Sequence, residues 1–568
     1  MKFIWSFLSV MICALAQGQI SYVFEDNKTF TYEECIDAYK HLEEKYLTVE
    51  LKEYGPSDSG RPIHLFVMGD VDKENKPTIL INNGIHPGES CGIDASIKFA
   101  EDLLSSDNTI LNRVNICIIP VYNIGGCLNR NTHSRANQNG PDEHGFRGNA
   151  RNLDLNRDFI KCDSRNTEAF YRIFQDWEPE IFVDTHTSNG ADYQYVMTLI
   201  ASQVDKLNPE LRNFVRGSML PHMFKSMEDV YPMTPYVNTM GRTPEEGIAD
   251  FIDSPRFASG YAALFNSIGF ITETHMLKPY RDRVLSTYYF LNELTKFTAD
   301  NGENLVQLKR KADRHTRKSK EIQFNYQLDS TLYQMIEFKG FEHYYEKSSV
   351  TLQDQLYYSK NPKTFQVKQF SNYIPRDTVQ VPTYYIIPQA WREVVDHLKM
   401  HKVKMKRLKE DAEIEANFYY IEDHETNRSP YEGHFLHKDV VTRDETQKVL
   451  FLKGDYIVKM DQVKNRYIAE SLEPRTVDSF FVWNYFDGIL QQKEWFSDYV
   501  FDKEAQEILA NDPELEREFR KMQKEDADFA KNHWAQLYYI YKASEYFEKS
   551  VFRYPVARVF RELEVGME

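Results

Sequence analysis

His86-Pro87-Gly88-Glu89-Ser90 sets an imidazole and a carboxylate three residues apart at the end of an apolar run, Thr78 to Ile85. On a bend leaving a buried strand, both groups can turn toward one point. That suits two of the three protein ligands of a catalytic zinc, which keeps its fourth position open for water. The same His-x-x-Glu spacing recurs at His41/Glu44 and His343/Glu346, both in charged, surface-like sequence. Context separates the first: a strand before it, a tight Pro-Gly turn, and an amphipathic stretch from Ile93 to Leu104 after it.

Three further segments can converge on that point. Phe182-Val183-Asp184-Thr185-His186 ends an apolar run with a histidine 97 residues beyond Glu89. A lone strand-end histidine is ordinarily structural, but a close pair plus one distant ligand is a common plan for catalytic zinc. Asn156 and Arg157, in Asn152-Leu153-Asp154-Leu155-Asn156-Arg157-Asp158-Phe159, offer an amide and a guanidinium fork matched to a carboxylate. The plainer alternative is an arginine paired with Asp154 or Asp158. Phe270-Ile271-Thr272-Glu273 delivers a carboxylate at a strand end, where a buried unpaired Glu needs a partner or a task. General base beside a metal is one such task.

Taken together and in this order, His86-x-x-Glu89, Asp154-Leu155-Asn156-Arg157, His186 and Glu273 resemble the zinc metallocarboxypeptidase family over roughly residues 30 to 300. The resemblance implies one Zn2+ held by His86, Glu89 and His186. It implies Asn156 and Arg157 as binders of the substrate's terminal carboxylate and Glu273 as general base. It also implies an arginine that polarises the scissile carbonyl, assigned to Arg135 with Arg130 as rival. A tyrosine upstream of the base is assigned to Tyr261, with Arg256 as a possible neighbour in the pocket. The specificity pocket is expected between Asp250 and Phe265. Where the family has Asn-Pro-Asp-Gly, this chain has Asn123-Ile124-Gly125-Gly126, a change expected to alter a turn and not the chemistry.

The elements that must position these residues alternate. Ile63–Met68, Thr78–Ile85, Val114–Tyr122, Ile181–Thr185 and Ile268–Thr272 have strand length, and Thr31–Tyr46, Ile93–Leu104 and Asn166–Trp177 read as amphipathic helices. The expected fold is α/β, a mixed central sheet flanked by helices over residues 20–300, with sites on loops beyond the strand ends. Residues 301–320, polar and basic, read as a charged helical linker without an apolar face. Short Tyr/Phe/Val/Ile segments over 321–474 predict a β-rich domain, and 475–568 a mixed, mainly helical region broken at Asp512-Pro513. A segment ending near Ile322 is expected to contain the complete catalytic core.

With 568 residues the chain exceeds one ordinary core. Its net charge of -17 argues against a nucleic-acid partner, since phosphate is bound through Lys and Arg. Residues 1–16, with Lys2, an apolar core and Ala14-Leu15-Ala16, read as a cleavable export signal, placing the protein in a secreted or periplasmic setting. Val10-Met11-Ile12 before Cys13 speaks against lipid anchoring, and no other segment is apolar enough to span a membrane. Five cysteines then remain, no disulfide scaffold, with at least one thiol free or paired outside the chain. The expected function is an exported zinc metallocarboxypeptidase acting on peptides with a free C-terminal carboxylate. Two alternatives stay open: a zinc amidohydrolase acting on peptidoglycan stem peptides or acyl amino acids, and a non-catalytic zinc- or substrate-binding protein. Retention of Glu273 speaks against the last. Side-chain preference, the role of residues 321–568 and oligomeric state are not legible.

Overall fold

The computed structural model describes residues 20–69, 75–106 and 108–568, so the export signal at 1–16 lies outside the described residues. The first ten strands are β1 (Val49–Tyr54), β2 (Ile63–Met68), β3 (Thr78–Asn82), β4 (Asn115–Ile119), β5 (Ile181–Ser188), β6 (Met197–Ala201), β7 (Met233–Pro235), β8 (Asn238–Thr239), β9 (Ile248–Ala249) and β10 (Ile268–His275). Eight of them form one mixed sheet in the order β1-β2-β4-β3-β5-β10-β6-β7. Its centre is parallel, β4 with β3, β3 with β5 and β5 with β10, while β2 and β6 flank it antiparallel.

The apolar runs become central strands because both faces are covered: β2, β3, β4 and β5 are buried at every residue. Helices Tyr32–Lys45, Cys91–Ser105 and Arg165–Trp177 lie close to the expected limits. Thr31 and Glu34 close a capping box on the first, and Ser164 caps the third by accepting from Thr167 N. Helix Cys91–Ser105 approaches β5 closely at Gly92, where an added Cβ would lie 1.9 Å from Thr185 Oγ1. Three strands of this sheet, β1, β6 and β7, are not among the expected ones; β1 is an edge strand with only partial burial and weak patterning.

Downstream, β11 (Glu321–Leu328) pairs with β14 (Tyr373–Gln380), and β12 (Gln334–Lys347) with β13 (Asp354–Phe370) in a long hairpin. That hairpin joins the N-terminal region through β13 and β9. A six-stranded sheet holds β15 (Tyr384–Ile387), β16 (Met405–Arg407), β17 (Ala412–Thr426), β18 (His437–Phe451), β19 (Tyr456–Lys459) and β20 (Ala557–Val559). Helices Asp498–Asn511 and Pro513–Glu525 meet at Asp512, which caps the second, with Pro513 at its first turn. The C-terminal region is not an appendage, since β20 sits between β15 and β17 inside the sheet.

Two further expectations need correction. Residues 301–320 do not form a free linker. Helix Gly302–Lys318 buries Leu305, Leu308 and Ala312, whose 3–4 spacing is an apolar stripe hidden among charges, with Val306 buried beside it. Nor is the core of the first 320 residues complete by itself. One apolar cluster runs from Ile63 and Phe182 through Tyr171, Tyr261 and Phe265 to Tyr385, Leu398, Tyr467 and Trp483. Tyr171 meets His401 with ring centroids 4.0 Å apart, and Phe265 stacks on Tyr467 at 5.5 Å. All five described cysteines are buried. Among the described residues no helix is long and apolar enough to cross a membrane.

Candidate active site

The parallel strands β3, β5 and β10 end at the same edge of the sheet, and the loops there carry the chemistry. His86 and Glu89 follow β3, His186 lies in β5, and Glu273 stands opposite His186 in the parallel register of β5 and β10. Asn123 ties this edge to a second loop: its side-chain amide donates to Ile85 O and Arg147 O, and its Oδ1 accepts from Gly126 N. The Asn-Ile-Gly-Gly segment therefore starts a short helix, Ile124–Leu128, and keeps its asparagine as the cap. Gly126 is needed there because a Cβ would fall 2.4 Å from Phe146 O.

His86, Glu89 and His186 are buried, with one ligand atom of each within 4.8 Å of the others. It is the one such group among the described residues; the His41 and His343 spacings gather no third ligand. His86 Nε2 donates to Asp154 at 2.9 Å and His186 Nε2 to Asp184 at 2.9 Å. A carboxylate can only accept, so Nε2 of each ring carries a proton, and each ring turns Nδ1 toward Glu89, with His186 Nδ1 within hydrogen-bonding distance of Oε2. These atoms lie 3.3 Å (His86) and 3.0 Å (His186) from the Glu89 oxygens. Ligands about 2.0–2.1 Å from a tetrahedral zinc stand roughly 3.4 Å apart, so the donor set and its spacing fit that ion. His86 Nδ1 is buried and makes no hydrogen bond, which is the condition of a ligand atom. The outer carboxylates Asp154 and Asp184 fix the rings, the arrangement common around histidine-bound metals.

Burial pushes the Glu89 carboxyl up, but His86, Arg135 and His186 outweigh it and hold it well below the usual range. Burial pushes His186 down, while Asp184 and Glu89 raise it far more. Glu273 is raised to about 7, first by burial and then by the charge of Glu89, against the opposing pull of His186. Asp154 is held low by His86, Arg147 and Arg157 despite its burial.

His86, Glu89, His186 and Glu273 line a cleft of about 260 Å³ together with Arg135, Arg147, Asn156, Arg157, Tyr236, Phe251 and Phe257. Arg135 donates to Glu89 Oε1 (2.9 Å) and Thr187 O. Its rival Arg130 is turned away, bonding Thr29 O, Phe30 O and Glu143 O. Arg157 stacks on Phe257 with 4.6 Å to the ring centroid, and Asn156 Oδ1 accepts from Ala258 N. The plainer reading of Arg157, a pair with Asp154, amounts to a contact of 3.9 Å.

Tyr261 is not in the cleft. It stacks on Tyr171 at 5.5 Å and packs against Phe174 and Phe265 in the shared core, where its ring is fully buried. The tyrosine that lines the cleft is Tyr236, kept protonated first by burial and then by the Glu273 and Glu89 charges. Arg256 also lies elsewhere, paired with Asp478 at 2.7 Å on a separate cavity of about 940 Å³. Sequence reading missed Arg147, which bonds Asp154 at 2.9 Å and Glu89 at 3.4 Å. It stands among other arginines in a polar loop, and no spacing singled it out. Phe251 and Phe257 fall in the segment expected to form the specificity pocket.

Residues 36–215 match the family model described as zinc carboxypeptidase. That span contains His86, Glu89, Arg135, Asn156, Arg157 and His186 and ends before Glu273. No curated protein matches the chain. Solved structures similar to it include a metallo-carboxypeptidase from Burkholderia cenocepacia, 15% identical, covering 48% of this chain and 70% of that one, with a TM-score of 0.38. Another is the carboxypeptidase A from Helicoverpa armigera, 15% identical over 48% of this chain and 74% of that one, with a TM-score of 0.37. A metallo-carboxypeptidase from Pseudomonas aeruginosa in complex with (2-guanidinoethylmercapto)succinic acid matches at 15% identity, 48% and 70% coverage and a TM-score of 0.38.

Proposed function

We propose that this chain, which carries a zinc carboxypeptidase-family domain, is a zinc-dependent carboxypeptidase that hydrolyses the C-terminal peptide bond of peptides. The observation that carries the reading is one cleft lined at once by His86, Glu89, His186, Glu273, Asn156 and Arg157. A zinc held by His86, Glu89 and His186 would lower the pKa of a bound water toward about 7 and polarise a carbonyl.

The side chains divide the remaining work. Glu273 takes a proton from the attacking water and returns it to the leaving amine. Arg157 and Asn156 receive the substrate's free carboxylate, so the terminal bond is the one brought to Glu273. Arg135 donates to the oxygen that gains charge, an effect worth about 3–4 kcal/mol for one donor. Tyr236, protonated, is a second donor facing the same space. Ile200, Ile271, Phe251 and Phe257 line the rest of the cleft and favour an apolar terminal side chain. Residues 1–16 support an exported protein.

The test is a matched pair of peptides, free acid and C-terminal amide, given to purified protein whose metal content is measured. Wild-type kcat/KM is expected to fall by orders of magnitude on the amide, because each charge-assisted bond to a carboxylate contributes about 1.5–3 kcal/mol. Arg157→Ala should be poor on both substrates, with the gap between them largely gone. Equal wild-type rates on acid and amide would rule out carboxylate anchoring and favour the amidohydrolase alternative.

A further inference from the structure

The loop that joins β17 to β18 reaches back to the cleft from more than 270 residues along the chain, 274 for Tyr431 to Arg157. Tyr431 and His434 bridge across a two-residue turn, in which Glu432 and Gly433 both have positive φ, 48° and 85°. Two such residues make the tight turn that matches the twist of paired strands. Glu432 holds a conformation that glycine would adopt at lower cost, and its carboxylate accepts from Asp154 N at 2.7 Å. His434 Nε2 bonds Asp163 at 2.8 Å. Tyr431 Oη accepts from Arg157 Nε at 2.9 Å. The turn is therefore bound at three points to the segment that presents Asn156 and Arg157.

Arg157 lines the cleft and Tyr431 does not. With Nε taken by Tyr431 and the guanidinium face on Phe257, the terminal nitrogens are what Arg157 can present to a ligand. One of them already donates to Asn156 O at 2.9 Å, which fixes the plane further. The Tyr431 ring is itself held, stacked on Trp483 with centroids 6.3 Å apart and with the Arg256 guanidinium 5.7 Å from its centre.

We propose that Tyr431 of the β17–β18 turn is a positioning residue for carboxylate recognition, holding Arg157 so that its terminal nitrogens meet the substrate's C-terminus. This rests on the reading of Arg157 as the carboxylate anchor. It gives the β-rich region a role in the reaction: one wall of the recognition site is aimed from the second half of the chain.

The experiment uses the full-length, zinc-loaded protein and calorimetric binding of N-acetyl-phenylalanine and its amide. Tyr431→Phe keeps the ring and its packing and removes only the acceptor. It should weaken the acid about tenfold, the factor that corresponds to about 1.4 kcal/mol, and leave the amide unchanged. In peptide turnover the change should fall on KM more than on kcat. In an Arg157→Ala background, Tyr431→Phe should have no further effect on the acid, since the residue acts through Arg157. Acid affinity unchanged in Tyr431→Phe, or an equal loss on acid and amide, would overturn the proposal while leaving Arg157 as anchor. A persistent loss in the Arg157→Ala background would overturn it likewise. A wild type that does not distinguish acid from amide would overturn both.

Discussion

Asp94 lies in the first turn of helix Cys91–Ser105, fully buried. Its Oδ2 accepts from Thr29 Oγ1 at 2.5 Å and from Tyr280 Oη at 2.7 Å, while its Oδ1 is buried without a partner. Burial lifts this carboxyl from the ordinary 3.8 to about 7, more than the Thr29 and Tyr280 bonds lower it. The folded protein thus keeps a proton that the unfolded chain releases near pH 4. Below that pH the group costs nothing; the cost grows as pH rises through the window from 3.8 to about 7 and is constant above it. At about 1.4 kcal/mol per pH unit, the full cost is about 4 kcal/mol, a large part of an ordinary folding free energy. Asp94→Asn keeps the shape and never ionises. Its stability relative to wild type should therefore rise by about 4 kcal/mol between pH 4 and pH 8. Urea denaturation of both proteins across that range measures the difference, and titrations common to both cancel. A difference that stays flat from pH 4 to pH 8 would refute the argument that burial, rather than the two donors, governs Asp94.

The remaining predictions concern the metal, the base and the shared core. His86→Ala should lose both zinc and activity, read by metal analysis and peptide digestion; a folded, active protein free of transition metal would remove the basis of the reading. Glu273→Gln is nearly isosteric and should keep fold and zinc while kcat falls by roughly 10²–10⁴; near-normal turnover would make Glu273 a structural strand-end residue. Truncation after Ile322 should give insoluble or unfolded protein, because it strips Tyr467 and His401 from Phe265 and Tyr171. A soluble fragment with a cooperative thermal transition would show that the first 322 residues close their own core.

The chain's local patterns carried a good deal. Strands β2 to β5 and β10 are long apolar runs, legible because residues buried on both faces leave no polar alternation to confuse the period. His86 and Glu89 are close neighbours on a strand-ending turn, and Asn156 and Arg157 are adjacent, so their company is a short-range fact. What the sequence could not decide is which distant side chains share a space. Tyr261 and Tyr236 are both tyrosines upstream of Glu273. Only packing sends one into the aromatic core with Tyr171 and the other to the cleft. Arg130, Arg135 and Arg147 lie in one polar stretch, and it is the path of the backbone that turns the first to Thr29 and the other two to Glu89. The apolar stripe of Gly302–Lys318 was hidden by its charges, because one face of a helix needs few residues to be buried. The contact of Tyr431 with Arg157 had no trace in the sequence. A hydrogen bond needs its donor and acceptor about 3 Å apart, and separation along the chain places no limit on which atoms those are.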